Sequence, residues 1–135
     1  MVQVARIIRL VLVCAALAGC GTTTRDGDAA GVSDRFHSAL EDGNGAAACR
    51  ELSSETRKKL ERDEGQACAE AILGLDLPAG ARAARAKVYV STALIELEGP
   101  ASEEFLDEGP DGWKISAAGC SSSAPDQPFD CELEG

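Results

Sequence analysis

The sequence predicts an α+β domain in which N-terminal helices pack on a bent antiparallel sheet and two disulfides stabilise it. Three observations point there. Apolar residues recur at helical spacing as far as Leu75 and at alternate positions from Val88 onward, with Pro78 and Gly80 at the change. Gly-Pro and Asp-Gly clusters then cut the second half into short strands. Four cysteines follow residue 20, an even number that reads as a disulfide framework in an exported domain.

The chain begins with a targeting pattern. Arg6 and Arg9 precede an apolar run from Leu10 to Ala18, too short for the roughly 20 residues of a membrane-spanning helix and of the right length for a signal h-region. Leu17-Ala18-Gly19-Cys20 resembles a lipobox, with small residues before the scissile bond and Cys20 as the lipid acceptor. The expected organisation is therefore a lipoprotein signal peptide over residues 1–19, a lipidated flexible tether over 20–32, and an α+β domain over 33–135. Cys14 would leave with the signal peptide. Gly-Thr-Thr-Thr-Arg-Asp-Gly-Asp-Ala-Ala-Gly-Val at 21–32 reads as coil, spanning at most about 40 Å when extended and about 20 Å on average.

The elements follow in order. Ser33 is positioned to cap a helix with Phe36, Ala39 and Leu40 on its apolar face, ending near Gly43. A short helical stretch from Gly45 to Leu52 carries Cys49. Ser54 can cap a polar helix in which Glu55 and Lys59 sit four apart. Asp63 and Gln66 have the spacing of a capping box. Beyond them Cys68, Ala71, Ile72 and Leu75 recur at i, i+3, i+4 and i+7, so Cys68 should face inward. In the second half Val88 and Val90 alternate, and Ala93, Ile95 and Leu97 alternate in the opposite phase. That slip marks a bulge or a tight turn at Ser91-Thr92, and the turn is favoured. Two further strands centre on Phe105 and on Trp113 with Ile115. Residues 121–128 read as a surface loop.

Four cysteines allow three connectivities. The sequential pairing, Cys49 with Cys68 and Cys120 with Cys131, keeps each bridge within one structural unit. Each closed loop would contribute about 3 kcal/mol by restricting the unfolded chain. A four-thiolate zinc site or a thioredoxin-like centre would want a Cys-x-x-Cys pair, and none occurs.

Charge narrows the partners. Two of the 13 basic residues and none of the 23 acidic ones precede Cys20, so cleavage would take the formal net charge from −10 to −12. Such a surface repels phosphate backbones and anionic headgroups, which excludes nucleic acid and leaves membrane attachment to lipid on Cys20.

Cys49-Arg50-Glu51-Leu52-Ser53-Ser54-Glu55-Thr56-Arg57, Cys68, Gly112-Trp113-Lys114-Ile115-Ser116-Ala117-Ala118-Gly119-Cys120 and Phe129-Asp130-Cys131-Glu132 occur together in this chain. In that combination it resembles small actinobacterial lipoproteins of unassigned function, over nearly its whole length. The resemblance implies the cystatin-like superfamily that includes nuclear transport factor and ketosteroid isomerase. In that fold a bent antiparallel sheet wraps helices as a cone and often leaves a cavity.

No residue pattern specifies catalysis. His37, the one histidine, reads as a surface helix residue without a second ligand. Glu103, Glu104, Asp107, Glu108 and Asp111 read as solvated hairpin charges. Asp107 to Ala118 departs from an EF-hand loop at its third and twelfth positions, Gly109 and Ala118. Trp113 reads as a core anchor. Ser121, Ser122 and Ser123 have no histidine nearby in sequence. The expectation is a membrane-anchored extracytoplasmic lipoprotein with a non-catalytic binding or protein-interaction role, an envelope protein or small ligand as partner, and no catalytic residue, metal or cofactor. The alternative is a small isomerase-like enzyme using a conical cavity near Tyr89 and an acidic residue.

Overall fold

A computed structural model describes residues 21–135 apart from residues 101 and 123. The signal-peptide segment, Cys14 and Cys20 lie outside the described residues. The order is α1 (Gly21–Glu41), α2 (Gly45–Glu51), α3 (Ser54–Glu64), α4 (Cys68–Ala71) continuing into a 3-10 turn (Ile72–Gly74), then β1 (Ala83–Tyr89), β2 (Thr92–Leu97), β3 (Glu103–Gly109), β4 (Gly112–Ser121) and β5 (Asp130–Glu134). The strands form an antiparallel meander in the order β1-β2-β3-β4-β5. Helices followed by an antiparallel sheet make the expected α+β domain. Among the described residues no helix is long and apolar enough to cross a membrane.

The largest departure from expectation is at the start. Residues 21–32, read as coil, are the first half of α1. Gly27, Gly31 and three threonines are weak helix formers, but tertiary contacts outweigh local preference. Ala29 and Val32 are buried and extend the stripe through Phe36 and Ala39. On the opposite edge of the same segment, Asp26 Oδ1 accepts the Val88 backbone N–H at 3.2 Å. About two turns further, Asp34 Oδ1 accepts that of Ala83 at 2.9 Å. Both donors belong to the outermost strand, so α1 covers an edge that would otherwise be open to pairing.

The other helical expectations shift by small steps. Ser53, one residue before Ser54, caps α3, its hydroxyl accepting from Thr56 N at 3.1 Å. Lys59 pairs with Asp63 at 3.1 Å instead of Glu55. The Asp63–Gln66 capping box does not form. The chain turns through Gly65 at φ 64°, and Glu61 Oε1 accepts from Cys68 N at 3.2 Å. Cys68, Ala71 and Ile72 face the core as expected.

In the sheet, Tyr89 pairs with Thr92, so the phase slip is the favoured tight turn, placed at Val90-Ser91, one residue before the expected Ser91-Thr92. The inner face carries Ala93, Ile95 and Leu97 of β2, Leu106 of β3, Trp113, Ile115 and Ala118 of β4 and Leu133 of β5. Trp113 is the core anchor the sequence suggests. Near the end of β4, Ala118 and Gly119 together oppose Glu104, and Gly119 takes φ 64°. The bulge turns Cys120 to the outer face, level with Glu103 and Cys131. There Phe129 meets Phe105 edge-on at 5.0 Å. β5 itself has no counterpart in the sequence reading, which left its residues unassigned.

Both disulfides form in the sequential pairing, Cys49–Cys68 and Cys120–Cys131. The first joins α2 to α4 inside the core. Their backbones approach so closely that a Cβ on Gly45 would lie 1.8 Å from the Ala69 carbonyl oxygen. Only glycine fits at that crossing.

Candidate functional site

Ser33 and His37 lie four apart on α1 and therefore on one face. That face meets the sheet where Glu104, opposite Ile95 in the β2–β3 pairing, points inward. All three side chains are fully buried. Ser33 Oγ donates to Glu104 Oε2 at 2.7 Å. His37 Nε2 meets Glu104 Oε1, and His37 Nδ1 meets the Pro78 carbonyl. A carbonyl only accepts, so Nδ1 carries a proton and Nε2 shares one further proton with the carboxyl. In either placement of that proton the pair carries no net charge, and each polar atom has a partner. This satisfies the requirement for burying such groups.

Three sequence expectations are corrected here. His37 is a core residue, not a surface one, and Glu104 is not a solvated hairpin charge. Ser33 likewise sits in mid-helix instead of capping it. The other acidic residues of the run do reach solvent: Asp107, Glu108 and Asp111 are exposed and Glu103 is half-buried. The readable signal was parity: Glu104 shares the phase of Leu106, and Ser33 and His37 interrupt the stripe formed by Ala29, Val32, Phe36 and Ala39. The cluster is a polar lock between layers. Its hydroxyl donates to the carboxylate and not to the imidazole, and none of the three reaches solvent, so it offers no nucleophile to a substrate.

Two open surfaces among the described residues bear on binding. One is a groove of about 520 Å³ between the α2–α3 junction and the β3–β4 turn. Its lining carries Arg50, Arg57 and Lys114 together with Asp107, Glu108 and Asp111, and Lys114 stands across the β3–β4 pair from Asp107. Ser53 N donates to Ile115 O at 2.9 Å and Lys114 Nζ donates to Arg50 O at 2.6 Å, which ties the α2–α3 junction to β4. A lining of both charges suits a ligand or segment that itself carries both signs.

The second surface surrounds Tyr89, which is 59% exposed. An open hollow of about 330 Å³ beside it is lined by Arg25, Asp26, Ala86, Lys87 and Val88. Asp26 already accepts from Val88. An isomerase-like oxyanion site needs its donor and base in one water-excluding pocket. This hollow does not exclude water. Arg25 bridges Val90 O and Glu108 and lies over the Trp113 ring, 5.5 Å from its centroid.

Among the described residues no three His, Cys, Asp or Glu side chains converge as metal ligands. Ser121, the last residue of β4, and Ser122 beyond it are exposed, whereas His37 is buried in the core. The comparisons complete the site's description: the chain matches no family model, no curated protein and no solved structure.

Proposed function

We propose that this protein is a lipoprotein anchored through Cys20 to the extracytoplasmic face of the cell membrane, where it binds a partner without chemistry on it. The observation that carries the binding role is the groove whose lining combines basic and acidic side chains. It is the largest of the open hollows described here, and the Ser53–Ile115 and Lys114–Arg50 hydrogen bonds tie the elements that form it. The Leu17-Ala18-Gly19-Cys20 segment supports the address. The partner is an envelope protein or a small molecule bearing both charges.

The cystatin-like assignment belongs to the same proposal. A long helix laid across an antiparallel meander supports it. Fold analogy adds nothing about activity, because such superfamilies host many functions. No specific observation favours the isomerase-like alternative over binding.

The test is photocrosslinking in intact cells from the full chain, with the photoreactive residue at Ser54 in the groove or at Leu73 outside it. A defined product from position 54 alone supports the reading. Equal or absent products from both positions, with no retained ligand in the native mass, would overturn it.

A further inference from the structure

The end of the domain nearest Cys20 is not featureless. Arg25 and Asp26 of α1 contact Val90 and Val88, while Asp34 contacts Ala83 and His37 O accepts from Gly80 N at 2.9 Å. The helix therefore runs antiparallel to β1, and its first turn lies level with the β1–β2 turn. Glu108 N donates to Ser91 O at 2.8 Å, so the β3–β4 turn stands beside it. The residue after Cys20 thus emerges at the same end as both hairpin tips. Gly21 precedes Arg25 by four residues, about 6 Å along the axis at 1.5 Å per residue.

The tip of the first hairpin is apolar and unusually exposed. Val90 is 87% exposed and Tyr89 59%. Val90 also has φ 55°, in the left-handed region where a two-residue turn ordinarily uses Gly or Asn. A β-branched residue there costs on the order of 1–3 kcal/mol, and although Arg25 holds the Val90 carbonyl, the Val90 side chain stays in the open. An apolar side chain kept at so exposed a turn points to an external contact.

We infer that the Tyr89-Val90 tip rests in the headgroup layer of the membrane that holds Cys20, so that the domain stands on the bilayer in one orientation. The inference rests on the lipoprotein reading. A headgroup layer is about 5–8 Å deep on each face of the bilayer. A rigid helix puts the tip within about that distance of the anchored residue, whereas a coil would let it wander over about 20 Å. Tyrosine suits the interface because its ring is apolar and its hydroxyl stays wet. Glu108 is paired with Arg25, and Asp111 on the neighbouring turn disfavours anionic lipid, so the surface is a zwitterionic one.

The experiment uses the full chain, its lipidation first read by intact mass, reconstituted in phosphatidylcholine vesicles. An environment-sensitive fluorophore is attached in Val90→Cys and, separately, in Leu73→Cys on the exposed 3-10 turn that follows α4. The expected result is a blue-shifted emission at position 90, quenched by a nitroxide on the lipid, with position 73 unchanged. Solvent-like emission at both positions in a lipidated chain overturns the orientation and leaves the anchor standing. A blue shift at 90 that lipid nitroxide does not quench means a protein covers the tip, and also overturns it. A chain without lipid mass overturns both.

Discussion

The two halves of α1 grip the sheet with the same kinds of groups at very different depths. In the first half Arg25 pairs with Glu108 at side-chain exposures of 40% and 38%. In the second, Ser33 and His37 meet Glu104 with no exposure at all. Solvent screens the first set, where an exposed pair is worth about 0–1 kcal/mol. Nothing screens the second, where any member left alone must bear its own desolvation. Depth, more than the number of contacts, decides what each half contributes. The buried half fixes the helix to the fold, and the exposed half sets where its first turns point.

Substitutions along α1 and its partners separate these roles. Glu104→Ala strands His37 in the core and should cost about 3–5 kcal/mol, read as a lower denaturant midpoint. A loss under about 1 kcal/mol would mean that water reaches the cluster and that depth is not the deciding factor. Ser33→Ala removes one buried hydrogen bond from the Glu104 carboxyl and should cost about 1–3 kcal/mol. Combined with Glu104→Ala it should add much less than its own value, because both act through one carboxyl.

Arg25→Ala should cost about 1 kcal/mol or less globally, the sum of a screened ion pair and a modest ring contact. Its clearer signature is local: amide exchange should accelerate over residues 24–30 and stay unchanged over 33–40. Gly27→Ala is the smallest effect and has the opposite sign. A Cβ there meets nothing within 4 Å, so the substitution should stabilise by about 0.5–1 kcal/mol through helix propensity alone. Were residues 21–32 a coil, it would leave the melting midpoint where it is.

How far the sequence reads through to the fold follows from the same contrast. Periodicity finds the order of helices and strands, because burial of one face imposes a period whatever the partner. Cysteine count and spacing find both bridges. The tight turn at residues 90–91 shows as a change of phase between Val90 and Ala93. What periodicity misses is structure made by long-range contact. Residues 21–32 have coil-like composition, and their helix exists because Ala29 and Val32 find the sheet and Asp26 finds its edge. The polar lock hides for a similar reason. A lone histidine on a helix and a glutamate in an acidic run each read as solvated until the fold places them together. The charged groove draws on α2, α3 and the β3–β4 turn, segments more than 40 residues apart in the chain, and no local pattern signals it.

Native-state hydrogen exchange across α1 of the full chain tests most directly whether residues 21–32 are a docked helix. The account predicts graded protection: amides from 26 to 32 slowed well beyond coil rates, and those from 33 to 40 slowed further, to the level of the core strands. Coil-rate exchange up to residue 32, with protection beginning only at 33, would contradict it and restore a free tether between the anchor and the domain.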